Sequence, residues 1–148
     1  MSSEAEKYAP LETGGSFMGY VAKNNDIVIT DLIEAGTNAE RYENAFIPDQ
    51  EYQLEEFSKI YFDSNRTKNY LGDWHTHPNH TANLSLKDKR TLTLIANSPD
   101  SQNSQPLMII LSGLTKDWTL NAFQFDSGRI YLRSFFTCKY KQLPYVVF

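Results

Sequence analysis

The sequence predicts a mixed α/β fold with one central sheet packed against helices. Short runs of β-branched and aromatic residues are bounded by turn signals, and two longer segments place apolar residues at helical spacing. Strand-like and helix-like segments also alternate through the middle of the chain. With 148 residues, 41% of them hydrophobic and 14% aromatic, the chain is long and apolar enough to bury a core without a covalent staple.

The elements follow in order. Residues 1–9 are polar and are expected to form a flexible N-terminal tail, and residues 10–148, which no Pro/Gly/Ser-rich linker or repeat divides, a single domain. The runs 16–22 (SFMGYVA) and 26–35 (DIVITDLIEA) flank Asn24-Asn25 and predict a hairpin, because asparagine tolerates the backbone of a tight turn. A short strand is expected over 42–47. Pro48-Asp49 then opens a helix over 50–63, where Leu54, Phe57 and Tyr61 recur on one face and Glu51, Glu55 and Glu56 lie toward the N-terminal end. Residues 70–76 (YLGDWHT) predict a strand that ends at Pro78, since proline cannot donate to a ladder. Residues 79–84 read as loop, 86–97 as a second helix, 98–105 as a polar loop and 107–111 as an apolar strand. Two last strands are expected near 117–125 and 129–136, joined by a hairpin turn at Asp126-Ser127-Gly128.

Composition narrows the function. A formal net charge of −4 without a basic cluster argues against nucleic acid or an anionic membrane as the partner, leaving a protein substrate or a small molecule. Cys138 is the only cysteine, which excludes an internal disulfide and a thiolate zinc cluster, so any metal must be held by nitrogen and oxygen. The N-terminus lacks the basic and apolar regions of a signal peptide, and no apolar run approaches membrane-spanning length; a cytoplasmic location is expected.

The run Trp74-His75-Thr76-His77-Pro78 puts two of the three histidines two residues apart on a strand end, where i and i+2 share a face. Two neutral imidazoles side by side form half of a zinc site. Downstream, Ser85-Leu86-Lys87-Asp88 reads first as a helix start, with Ser85 as N-cap. Asp88, however, precedes Leu92 by four residues and Ile95 by seven, so it lies on the stripe that should face the sheet. A carboxylate there is costly unless neutralised. The helix N-terminus compensates in part, and a cation shared with two histidines more fully. His75, His77 and Asp88 then make three protein ligands, the number common in catalytic zinc sites that keep a fourth position for water.

Together these residues spell His-x-His-x7-Ser-x2-Asp, which resembles the JAMM motif of the MPN-plus, or JAB-domain, zinc isopeptidases in its His-x-His-Pro form. Glu12-Thr13-Gly14-Gly15-Ser16-Phe17-Met18-Gly19 is similar to the Glu-x-Gly-Gly stretch that opens the first core strand of prokaryotic members. The resemblance covers Glu12 to about Leu111. It implies a cytidine-deaminase-like mixed sheet sandwiched by helices, with one Zn²⁺ per chain at a rim of the sheet. It implies Glu12 as the general base that activates water and returns the proton to the leaving amine, and Ser85 as a hydrogen-bond donor to the oxyanion. The implied reaction is hydrolysis of an isopeptide bond between the C-terminus of a ubiquitin-like or conjugated protein and a lysine. The compact length resembles stand-alone bacterial forms that accompany E1- and E2-like enzymes in antiphage systems of the CBASS type. There the implied substrate is a cyclic-nucleotide synthase, a nucleotidyltransferase, conjugated through its C-terminus. Trimming of a ubiquitin-like or sulfur-carrier precursor is the alternative.

Other readings carry less. A scaffold that keeps the fold without catalysis is disfavoured by the intact set Glu12, His75, His77, Ser85 and Asp88, and a zinc nucleoside deaminase would need a Pro-Cys-x-x-Cys that one cysteine cannot supply. Gly14 and Gly15 suit either a close approach to substrate or a tight strand entry. His80 reads as a surface-loop residue and Cys138 not as a catalytic thiol. The aromatic end, Phe135-Phe136 and Tyr145–Phe148, reads as core edge or as a protein contact. Residues 64–69, 78–84 and 98–105 are the loops expected to touch substrate.

Overall fold

The computed structural model describes residues 1–114, 116–132 and 135–147. The chain runs α1 (Ser2–Tyr8), β1 (Gly14–Val21), β2 (Ile27–Glu34), β3 (Glu40–Tyr42), β4 (Ala45–Ile47), α2 (Gln50–Asp63), β5 (Asn69–Pro78), α3 (Leu86–Asn97), β6 (Leu107–Leu114), β7 (Asp117–Leu132) and β8 (Phe135–Leu143), with a 3₁₀ turn at Pro99–Ser101. Six strands form one mixed sheet in the order β2-β1-β5-β6-β7-β8, and β3 pairs with β4 in a separate hairpin. The mixed α/β sheet flanked by helices is the class expected from the sequence.

Strand β5 lies inside the sheet between β1 and β6, and the alternation of β6 serves the cores on both faces, Leu107, Ile109 and Leu111 on one and Met108 and Ile110 on the other. Strand β5 runs antiparallel to β1 and parallel to β6, with His75 opposite Ile110 and His77 opposite Ser112. A parallel pair needs a crossover, and α3 lies in the connection from β5 to β6. On one face Trp74 packs with Phe17, Ile109, Leu111 and Ala5 of α1. On the other, Met108, Ile110, Phe123 and Phe125 pack with Leu92 of α3. Since residues two apart share a face, His75 and His77 project toward α3 while Trp74 and Thr76 are buried beneath.

The structure corrects three expectations. Residues 1–9, read as a flexible tail, form α1: Ala5 enters the core and Glu4 is buried against Arg41, so polarity concealed an ion pair. The stretch 42–47 is a hairpin of two three-residue strands, β3 and β4, turning at Glu43-Asn44. Asp126-Ser127-Gly128 lies inside β7, where the register against β8 shifts between Asp126 and Ile130; residues that favour turns also favour bulges. The residues joining β7 to β8 lie outside those described. Strand β5 ends at Pro78 as expected, with Pro78 opposite Gly113 as the last residue of the strand, where a missing N–H is tolerated.

At the C-terminus Tyr145, Val146 and Val147 are exposed and so are not core edge, whereas the side chains of Phe135, Phe136 and Cys138 lie outside the described residues. Among the described residues no helix is long and apolar enough to cross a membrane.

Candidate metal centre

The site forms where the end of β5 meets the start of α3. The helix start is a capping box: Ser85 Oγ accepts from the Asp88 amide at 3.2 Å, and the Asp88 carboxylate accepts from the Ser85 amide at 2.7 Å. This locks the Asp88 side chain across the mouth of the helix, facing the histidines. Asp88 Oδ1 lies 3.2 Å from His75 Nε2, Asp88 Oδ2 lies 3.5 Å from His77 Nε2, and the two imidazole nitrogens are 3.0 Å apart. His75, His77 and Asp88 are all buried and form a group that could hold a metal ion.

The donor set fits a cation better than a set of hydrogen bonds. His77 Nδ1 is 3.2 Å from the Thr81 carbonyl oxygen, which can only accept, so Nδ1 carries the hydrogen and Nε2 presents a lone pair. That lone pair converges with a carboxylate and a second imidazole nitrogen, a set of nitrogen and oxygen donors that suits a divalent cation. Zinc with bonds of about 2.0–2.1 Å in a tetrahedron requires ligand atoms about 3.3–3.4 Å apart, close to the spacing found here.

The proton affinities divide the acids. Burial alone would push the Asp88 carboxyl up, but the hydrogen bond and charge of His75 and the bonds from Ser85 outweigh it and hold it well below the usual range. Glu12 moves the other way: burial dominates and raises it, only partly opposed by His75 and Lys87. His77 is lowered, first by burial and then by the neighbouring His75, which favours the neutral ligand form.

Glu12, Ser85 and the three prospective ligands line one cavity of about 900 Å³. The structure therefore brings together every residue singled out by the motif, and His80 remains an exposed loop residue on the same rim. Sequence reasoning missed Phe46, whose ring stacks on His75 at 6.4 Å between centroids and lies over Gly14. A Cβ on Gly14 would meet the Trp74 carbonyl at 2.3 Å and the Phe46 ring at 2.5 Å, so this glycine answers to close packing against β5 and the β3–β4 hairpin. It missed the Thr81 carbonyl as well, which leaves no sequence signal because any residue supplies one.

Comparison with known proteins adds to this geometry. A family model described as prokaryotic homologs of the JAB domain matches residues 1–125. The chain is 40% identical over 124 residues to "Probable metalloprotease y4qB" of Sinorhizobium fredii, an alignment covering 83% of this chain and 76% of that protein. A shorter stretch of 44 residues is 46% identical to the "CD-NTase/cGAS isopeptidase" of Enterobacter hormaechei subsp. hoffmannii, covering 30% of this chain and 24% of that protein. Among solved structures, protein DSY2949 from Desulfitobacterium hafniense aligns with a TM-score of 0.63 at 21% identity, over 86% of this chain and 78% of that one. A protein from Salinibacter ruber aligns with a TM-score of 0.50 at 19% identity, over 93% and 80% of the two chains. At such identities these two speak for the fold alone.

Proposed function

Because the chain belongs to the prokaryotic homologs of the JAB domain, we propose that it is a zinc-dependent isopeptidase, hydrolysing the amide bond between a conjugated protein's C-terminus and a lysine. The observation that carries this reading is the convergence of two imidazole nitrogens and a carboxylate within 3.0–3.5 Å, in a cavity that also presents Glu12 and Ser85. Three protein ligands leave a coordination position open, as catalysis requires.

His75, His77 and Asp88 would hold the ion. When bound, it supplies Lewis acidity toward the scissile carbonyl and makes water easier to deprotonate. Glu12 takes one proton from the attacking water as its oxygen bonds to the carbonyl carbon. The raised proton affinity of Glu12 suits it to keep that proton until the C–N bond breaks, when the proton passes to the departing amine. The products are a C-terminal carboxylate and a free lysine side chain. Ser85 Oγ accepts from the Asp88 amide and so keeps its own hydrogen to donate to the carbonyl oxygen as charge develops there.

For the substrate, we read the conjugated protein as a ubiquitin-like protein or a nucleotidyltransferase that makes cyclic nucleotides, attached by E1- and E2-like enzymes in CBASS defence in the cytoplasm. The short match to a CD-NTase/cGAS isopeptidase supports this. Mass spectrometry of a purified nucleotidyltransferase conjugate and of a C-terminally extended ubiquitin-like or sulfur-carrier precursor tests it. Release of intact nucleotidyltransferase is expected, and cleavage of the precursor alone would replace deconjugation by trimming.

A further inference from the structure

We propose that Arg41 is a positioning residue that sets the Glu12 backbone against the histidine strand, anchored in turn by the N-terminal helix. This rests on the reading of Glu12 as the base. Arg41 projects from β3 into a buried place, its side chain 8% exposed. Nε donates to Thr13 Oγ1 at 3.1 Å, Nη1 to the Ala39 carbonyl at 3.1 Å, and Nη2 to the Gly36 carbonyl at 3.3 Å and to Glu4 at 3.5 Å. The guanidinium also lies 3.7 Å from the centroid of the Tyr8 ring. Both the Glu4 carboxylate and the ring come from α1.

What Arg41 holds is the segment that carries the base. Thr13 follows Glu12 directly, and the Glu12 amide donates to the carbonyl of Tyr42, the residue after Arg41, at 2.8 Å. On its other side the same segment is tied to the ligand strand: the Thr13 amide donates to Thr76 Oγ1 at 2.9 Å, and the Thr76 amide to the Thr13 carbonyl at 2.8 Å. Thr76 stands between His75 and His77. Hydrogen bonds therefore link α1 through Arg41 and Thr13 to Thr76 on the histidine strand, and Glu12 is joined to this chain of contacts through its peptide bond to Thr13 and its amide hydrogen bond to the Tyr42 carbonyl. The helix has a second tether, since Glu6 accepts from Trp118 Nε1 at 2.7 Å and from the Lys116 amide.

A buried ion pair of this kind seldom stabilises a fold more than apolar residues of the same volume would. Its distinctive contribution is the fixed fork geometry of the guanidinium, which a lysine cannot reproduce. A base displaced by about 1 Å loses on the order of 10²-fold in rate, so the position of Glu12 is worth holding from two sides.

The test uses the full chain loaded with zinc and measures kcat, KM, bound zinc and Tm for Arg41→Lys, Glu12→Gln and the double variant on the same amide substrate. Arg41→Lys keeps the charge beside Glu4 but loses the fork; the expected result is a kcat lower by about 10- to 100-fold, with KM and zinc content unchanged. In the Glu12→Gln background the same change should have no further effect, because Arg41 acts through Glu12. A folded Arg41→Lys protein with unaltered kcat, a loss that follows zinc content, or an undiminished loss in the Glu12→Gln background would each overturn the proposal. If Arg41→Lys does not fold, Thr13→Val, which removes only the acceptor of Nε, decides by the same criteria. Full activity of Glu12→Gln would instead reject the base assignment itself, so the two failures are distinguishable.

Discussion

Asp88 and Glu12 are carboxylates on one cavity, yet the chain holds them in opposite ways. Asp88 is fixed locally: its capping partner Ser85 is three residues away, and the helix start and His75 draw its proton affinity down. Glu12 is fixed at a distance, by Tyr42 through its own amide and by Thr76 through Thr13, and burial draws its proton affinity up. The difference teaches how one site gives two acids two tasks. A metal ligand must stay ionised, and a base that stores a proton must be able to bind one.

The largest expected effect removes the locally held acid. Asp88→Asn should lose both the ion and turnover, read by elemental analysis and by cleavage of a conjugate; a variant that kept zinc would end the assignment of Asp88 as ligand. Next, Glu12→Gln should keep the ion while kcat falls by about 10²–10⁴-fold, so metal content separates the two carboxylates. Ser85 sits between them, with a hydrogen bond to Asp88 and a proposed one to the oxyanion. Ser85→Ala removes the hydroxyl donor and the capping acceptor together, and should lower kcat by about 10²–10³-fold while costing about 1 kcal/mol of stability.

The smallest effect lies outside the site. Asp31 is pushed up by burial, but its bond to the Lys68 ammonium at 2.7 Å and the Thr30 hydroxyl bring it below its ordinary value. A lowered carboxylate contributes stability above its unfolded pKa and loses it as pH falls through the folded one. Lys68→Met should therefore cost up to about 1 kcal/mol near neutral pH, shrinking to nothing in acid, as paired urea melts would show. A constant difference across that range would mean that packing of the lysine stem, not charge, is what the substitution removes.

The contrast between the two acids also explains what could be read in advance. The helix 50–63, the helix 86–97 and the strand carrying the histidines are legible because apolar spacing, Asp49 and Ser85 as caps, and Pro78 are local signals. The same holds for the Ser85–Asp88 box, whose spacing is the geometry of one helical turn. The N-terminal helix and the continuous β7 were misread for a common reason. A buried Glu4 and a bulge at Asp126 depend on partners in other elements, Arg41 of β3 and the neighbouring strand β8, which spacing within one element does not reveal.

By itself the sequence determined the mixed α/β class, the exclusion of thiolate chemistry, and a pair of histidines with an acid on a helix face. Each of these follows from residue type or from spacing within one element. Only the tertiary structure decided that Glu12 shares a cavity with Asp88, that Phe46 covers His75, that Thr81 sets the His77 tautomer, and that Arg41 ties α1 to the base. Of those relations, all but the Thr81–His77 contact join residues tens of positions apart. They exist only once the packing of two cores on either face of the sheet has fixed where each strand ends.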